Sequence, residues 1–207
     1  MNTNYGTVNG DLIEAPLTMR SSFNGLLAFH TLTDQERAEQ ANWYPCDVIN
    51  EGYDARTQIR STLPELSFDG ERIKAEYAIT DKPLETIRQE SLESLADIRY
   101  AREIEGVTSV EGIQQWTDRA NRALLTDKIS FMSNNPGINK TSWKARNGFV
   151  QMDVEGLKEL QALVGFHVDQ TYKAENAVSG MIVAAETIED LLSINIADEF
   201  EIAFSGS

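Results

Sequence analysis

Cysteine is almost missing from this chain: Cys46 is the only one in 207 residues, so no internal disulfide framework holds the fold. Histidine is nearly as scarce. His30 and His167 are the two present, too few for a histidine-rich metal site, and the carboxylates show no HExxH, CxxC or EF-hand spacing. No metal and no cofactor is expected. Long apolar runs are also lacking. Nothing reaches the roughly 18 consecutive apolar residues of a spanning helix, so membrane insertion is not expected. The start, Met1-Asn2-Thr3-Asn4-Tyr5-Gly6, has neither the basic stretch nor the apolar run of a secretory signal. Positive charge is the last deficit. Lys and Arg number 18 against 33 Asp and Glu, a net charge of −15. Such a surface repels phosphate backbones and anionic headgroups, so nucleic acid is not an expected partner and the charge reads as solubility.

Motifs with mechanical content are missing as well. No GxxxxGK[ST] or GxGxxG cradles a phosphate, and no GxSxG presents a nucleophile. The nucleophile candidates are Cys46 with His30, or a serine with His167. His167 lies between Phe166 and Val168 on an expected helix, where a partly buried structural histidine is the simpler reading. Cys46 enters an expected strand after Trp43-Tyr44-Pro45, and a buried inert thiol is the default. No catalytic residue is assigned, and the protein is not expected to be an enzyme.

What is present suits a folded α+β protein. The 41% hydrophobic and 25% charged fractions are those of a globular chain long enough to bury a core. The first 20 residues are polar, with Asn9-Gly10-Asp11 as a turn, and read as an arm or edge segment. Thr33-Asp34-Gln35-Glu36 is a capping box that starts a short helix ending near Ala41-Asn42. Cys46 to Ile49 reads as a strand closed by Asn50-Glu51-Gly52. Asp69-Gly70 sits between strand-like runs as a hairpin signal, and Ile73, Ala75, Tyr77 and Ile79 alternate as one half-buried strand. Residues 1–82 thus form a small β-rich N-terminal module.

Asp81-Lys82-Pro83 then opens a helix, with Asp81 or Lys82 in the cap region. Leu84, Ile87, Leu95 and Ile98 stripe it as far as Glu105. Residues 83–105 read as a connector helix laid on its own protein, with a self-association helix as the rival. Residues 106–207 form a helical C-terminal domain with a β-hairpin. Val107, Val110 and Ile113 suggest an extended segment, and Thr117 caps a helix with Asp118 at its positive end. Trp143 to Met152 is a hairpin around Asn147-Gly148. A helix capped near Asp153 runs towards Ala185 across Gly180, Thr187 caps a short helix, and Phe200, Ile202 and Phe204 alternate as a final strand. Trp143, Lys144 and Arg146 place an aromatic beside two cations, a base-stacking arrangement that the acidic balance disfavours.

Residues from about 95 to 200 resemble a bacteriophage domain family catalogued as a domain of unknown function and encoded in or beside tail-fibre genes. The matching residues are the Ile98-to-Glu105 helix end, Gly106-Val107, Thr117-Asp118-Arg119, Trp143 with Asn147-Gly148-Phe149-Val150, Leu160, His167-Val168, Glu175, and Thr187 to Leu192. The segment with Thr33 to Glu39, Trp43-Tyr44-Pro45 and Ile73 to Ile79 is similar to segments that precede this domain in phage proteins. The loop between Asn134 and Thr141 is longer here. The resemblance brings no catalytic residues. It implies a structural component of a phage tail, at the fibre or baseplate, made in the host cytoplasm and carried in the virion. Residues 1–82 would attach to the particle or fibre. Partners would be other tail or fibre proteins, with a homo-oligomer among them. Interface candidates are Trp43, Tyr44, Tyr53, Trp116 and Trp143, each of which also suits a core. The alternative is a fibre-assembly chaperone that leaves the particle. A remoter one is a cell-envelope-degrading enzyme, which needs a pair of cleft carboxylates.

Overall fold

The computed structural model describes residues 4–49 and 52–206. The chain divides into two compact units at the Lys82–Pro83 bond. Their secondary structure is mixed α+β, strand-rich before that bond and helix-rich after it.

The first unit is built on a five-stranded sheet. Strands β1 (Asn4–Asn9) and β2 (Leu12–Leu17) form a hairpin. β3 (Ser22–Phe23) and β4 (Leu26–Leu27) make a small ribbon. Helix α1 (Asp34–Ala41) leads into β5 (Trp43–Ile49). β6 (Gln58–Arg60), β7 (Glu65–Phe68), β8 (Ile73–Glu76) and β9 (Ile79–Asp81) complete the unit. The sheet order is β2-β1-β5-β8-β7, antiparallel throughout except for β5 beside β8. The segment expected to be an arm or edge segment is therefore two paired strands, with β2 at the edge of the sheet. Its apolar residues are too sparse to define a strand alone, and the pairing with β5 supplies what they lack. Gly6 marks that close pairing: a Cβ there would sit 2.6 Å from the Glu14 carbonyl and from Ile73 Cδ1.

The capping box forms as expected, with the Thr33 hydroxyl accepting from the Glu36 amide and Glu36 reaching back to the Thr33 amide at 2.7 Å. The Asp69-Gly70 turn joins β7 to β8, with Phe68 opposite Ile73. The strand expected to run on to Ile79 breaks after Glu76, and Ile79–Asp81 pairs with β6 instead. The turn expected at Asn50-Glu51-Gly52 lies mostly outside the described residues. Two apolar clusters hold the unit. Tyr5, Phe29 and Trp43 form one, and Cys46, Ile73 and Ala75 the other.

The second unit opens with α2 (Leu84–Ile104), whose N-cap is Pro83 itself, without a side-chain cap. β10 (Val107–Thr108) pairs with β11 (Gln114–Gln115). Helix α3 (Arg119–Ser133) follows, then the hairpin of β12 (Thr141–Ala145) and β13 (Gly148–Met152). Ala145 lies opposite Gly148, so Arg146-Asn147 forms the two-residue loop, and Gly148 takes the positive φ of 133°. Asp153 caps α4 (Val154–Ala184), and Thr187 caps α5 (Ile188–Ser193) through a second capping box.

The last element is α6 (Ile196–Ser205), a helix where alternation suggested a strand. Asn195 caps it by accepting from the Asp198 amide, and Ile196, Phe200, Ala203 and Phe204 fall on one helical face. That face packs in the cluster of Ile87, Leu95, Ala174, Val178, Ile182 and Leu191, with Phe200 fully buried. Helix α2 lies on α4 and α6 in the same cluster. It is part of the second unit's core. The other cluster joins Leu125, Met132, Trp143 and Met152 to Leu157, Leu160 and Val164 of α4.

Candidate functional site

Helix α4 serves both cores of the second unit, and between them its buried residues are His167 and Thr171. This middle stretch anchors a polar belt. His167 Nε2 lies 2.9 Å from the Arg102 carbonyl, so that nitrogen carries the hydrogen and donates. The Thr171 hydroxyl donates to the Val168 carbonyl at 2.7 Å. From α2, the buried Glu103 carboxylate accepts from Arg99 on its own helix and from Arg122 of α3, the latter at 2.8 Å. Arg99 also reaches Glu175 of α4 at 3.4 Å. A carboxylate out of water is tolerable only when paired in this way.

The Thr117-Asp118-Arg119 motif enters the belt differently from its sequence reading. Asp118, not Thr117, is the N-cap of α3, accepting from the Ala120 and Asn121 amides at 3.0 and 3.1 Å. Burial pushes the Asp118 carboxyl up, but the bonds from Asn121 and Ala120 outweigh it and hold it below the usual carboxylate range. Thr117 is wholly buried. Its hydroxyl donates to the Glu103 carbonyl and accepts from the Gly106 amide at 3.2 Å, tying the end of α2 to the start of α3. Gly106 itself has φ 101°, and a Cβ there would meet the Gln115 carbonyl at 2.8 Å. Beside it, the Gln115 side chain accepts from the Trp143 indole and donates to the Trp116 carbonyl, both at 2.9 Å. Thus Glu103, Gln115, Thr117, His167 and Thr171, the buried polar residues described in this unit, all have partners within its scaffold. The sequence reading of His167 as a partly buried structural histidine points to this belt. The rest joins residues distant along the chain.

The aromatic interface candidates separate cleanly. Trp43 is fully buried against Tyr5, Phe23 and Phe29, and Trp143 is buried in the second unit. Both belong to cores, since a partner cannot touch them without unfolding. Tyr44 is half-buried against Phe68, at 4.5 Å between ring centroids. Tyr53 and Trp116 remain exposed, each under an arginine: Arg60 lies 5.6 Å from the Tyr53 ring centroid and Arg146 4.1 Å from that of Trp116. The cation beside the aromatics is thus spent inside the protein, since Arg146 also donates to the Glu105 carbonyl at 3.3 Å. Structure brings Trp116 and Trp143 together through Gln115 and leaves Tyr44 and Tyr53 in the first unit.

A cleft of about 590 Å³ opens in the second unit where the β10–β11 hairpin faces the end of β13 and the first turns of α4. Ile113, Met152, Leu160 and Leu163 give it an apolar floor, and Glu111, Glu155 and Glu159 stand with Lys140 around it. Asp153 also lines it but is engaged in capping α4, accepting from the Gly156 amide at 2.9 Å. Chemically this suits an aliphatic stem ending in a cation, such as a partner's lysine or arginine. Val110 stands fully exposed at the hairpin tip beside it.

Elsewhere the sequence candidates are structural. Cys46 is buried in the first unit, and desolvation, reinforced by Asp47, pushes its thiol up, away from the reactive thiolate. Among the described residues, no three His, Cys, Asp or Glu side chains are grouped to hold a metal ion. No described helix is long and apolar enough to cross a membrane.

No match was found among curated proteins or among solved structures. Residues 86–199 match the family described as a domain of unknown function, DUF4376. That span runs from the first turn of α2 into α6 and contains the whole polar belt, the hairpins and the cleft. It covers more than half of the chain, which therefore belongs to the DUF4376 family.

Proposed function

We propose that this protein is a structural component of a phage tail, at the fibre or baseplate, working through protein–protein contacts. The observation that carries the reading is the internal use of five buried polar residues of the second unit. Glu103, Gln115, Thr117, His167 and Thr171 all bond to the scaffold, so recognition chemistry is concentrated on the surface. The surface offers apolar anchors in polar surroundings, the usual make-up of a contact patch. Val110, Phe149 and Trp116 are exposed near the cleft-bearing hairpins, and acidic residues rim the cleft. The phage placement rests on the order of the resembling motifs from Gly106 through Thr117-Asp118-Arg119 and Trp143 to Thr187.

Quantitative mass spectrometry of gradient-purified particles tests the proposal. The expected result is this chain at a fixed stoichiometry to other tail proteins. Absence from particles, with the chain present in infected-cell lysate, overturns it in favour of an assembly chaperone.

A further inference from the structure

We infer that the outward face of α4 is a docking surface for a second copy of this chain, the two helices pairing antiparallel about a two-fold axis near Thr171. The inference stands apart from the tail assignment and from the cleft.

The first observation is a pair of glycines with no reason inside the protomer. Gly165 and Gly180 are exposed, mid-helix, and an added Cβ would meet nothing within 4 Å at either. Alanine would stabilise the helix by roughly 1 kcal/mol at each position. Glycine at such sites suits the close approach of another backbone.

The second observation is charge. In a chain of net charge −15, the exposed face between Ala162 and Gly180 carries only Asp169 and Lys173, themselves paired at 2.7 Å. This stretch is locally neutral, so two copies can meet there without the repulsion expected elsewhere on an acidic surface.

The third is self-complementarity. A two-fold axis requires that if one residue meets another, the reverse contact also exists. With the axis at Thr171, Asp169 meets the partner's Lys173 and Lys173 meets the partner's Asp169, closing a four-charge ring. Ala162 falls opposite the partner's Gly180, and Gly180 opposite the partner's Ala162, so small meets small at both ends. Phe166, exposed at 57%, lies on the same flank as the partner's Ala177 and finds room beside it. Parallel pairing would instead set Asp169 against Asp169 and Lys173 against Lys173. The interface spans about 27 Å of helix, small by the standard of stable dimers. A reversible, concentration-dependent dimer is the expected state.

Sedimentation of the full chain through the micromolar range tests this. Wild type should pass from monomer to dimer as concentration rises. Gly180→Leu should weaken association by about tenfold or more while leaving the fold intact, because the site is open and leucine favours helix. Lys173→Asp should do the same, and Asp169→Lys combined with Lys173→Asp should restore the dimer. Orientation is read from Ala162→Cys and Gly180→Cys proteins, with the buried Cys46 as a quiet background. Mixed and oxidised they should cross-link to each other, and neither should cross-link to itself. A chain monomeric at every concentration, a Gly180→Leu protein that associates as before, or self-linking by either cysteine variant overturns the inference.

Discussion

Thr117 shows how a residue can look like one device and act as another. Its position before Asp118 and the start of a helix suggests a cap, yet the neighbouring Asp118 caps while the Thr117 hydroxyl joins Glu103 and Gly106. Cap chemistry is local, so the sequence locates the helix start to within a residue. The second role depends on a chain reversal through β10 and β11, which no local pattern encodes. Thr117→Val keeps the shape but leaves the Glu103 carbonyl and the Gly106 amide without this partner in a buried place. It should cost about 1–3 kcal/mol in urea unfolding, with Thr117→Ser recovering most of it. If the threonine mattered only as a cap, valine would cost no more there than alanine at Asp118, about 1 kcal/mol.

Elements with their signals in adjacent residues were readable, and those defined by distant partners were not. The capping boxes at Thr33 and Thr187 and the Asp153 cap fix α1, α5 and α4. β1 and β2 have sparse apolar residues, and β1 depends on β5 for pairing, so they read as an arm or edge segment and not as two strands. The cleft was unreadable for the same reason: its floor joins Ile113 to Leu160 and Leu163, far apart along the chain. Helix α6 is the clearest ambiguity. Phe200, Ile202 and Phe204 fit a strand by alternation, while Ile196, Phe200 and Ala203 fit a helix, and burial decides between them. The two periods make opposite forecasts for single substitutions. A strand would set Phe200 and Ile202 on one face, with comparable losses. In the helix Phe200 is fully buried and Ile202 is 66% exposed. Phe200→Ala should therefore cost about 3–5 kcal/mol, and Ile202→Ala within about 0.5 kcal/mol of nothing. Thermal or denaturant unfolding of the two variants separates the cases.

At the scale of the whole molecule, each unit holds acids through bonds of its own. In the first, bonds from the Thr33 amide and hydroxyl hold the Glu36 carboxyl below its usual range, and Arg72 does the same for Asp47. Asp54 is lowered by the Arg56 side chain and amide, and Asp69 by the Arg72 and Glu71 amides. In the second unit burial pushes Asp118 up and the bonds from Asn121 and Ala120 hold it down, as bonds do against burial at each of these acids of the first. A carboxyl lowered by folding stabilises the native state above its unfolded pKa of about 4, and that contribution fades as pH falls through the lower folded value. Both units therefore lose a contribution below pH ~4, and each exposed pair contributes little alone. Each unit also has its own apolar clusters, so the fragment from Pro83 to Ser207 should fold by itself. The expected outcome on acidification, followed by circular dichroism, is separate strand and helical transitions. The isolated fragment should follow the helical transition. Asp47→Asn should move only the strand transition, because its partner Arg72 lies in the same unit at 2.6 Å. A single transition shared by both signals, shifted as a whole by Asp47→Asn, would mean that the units unfold as one.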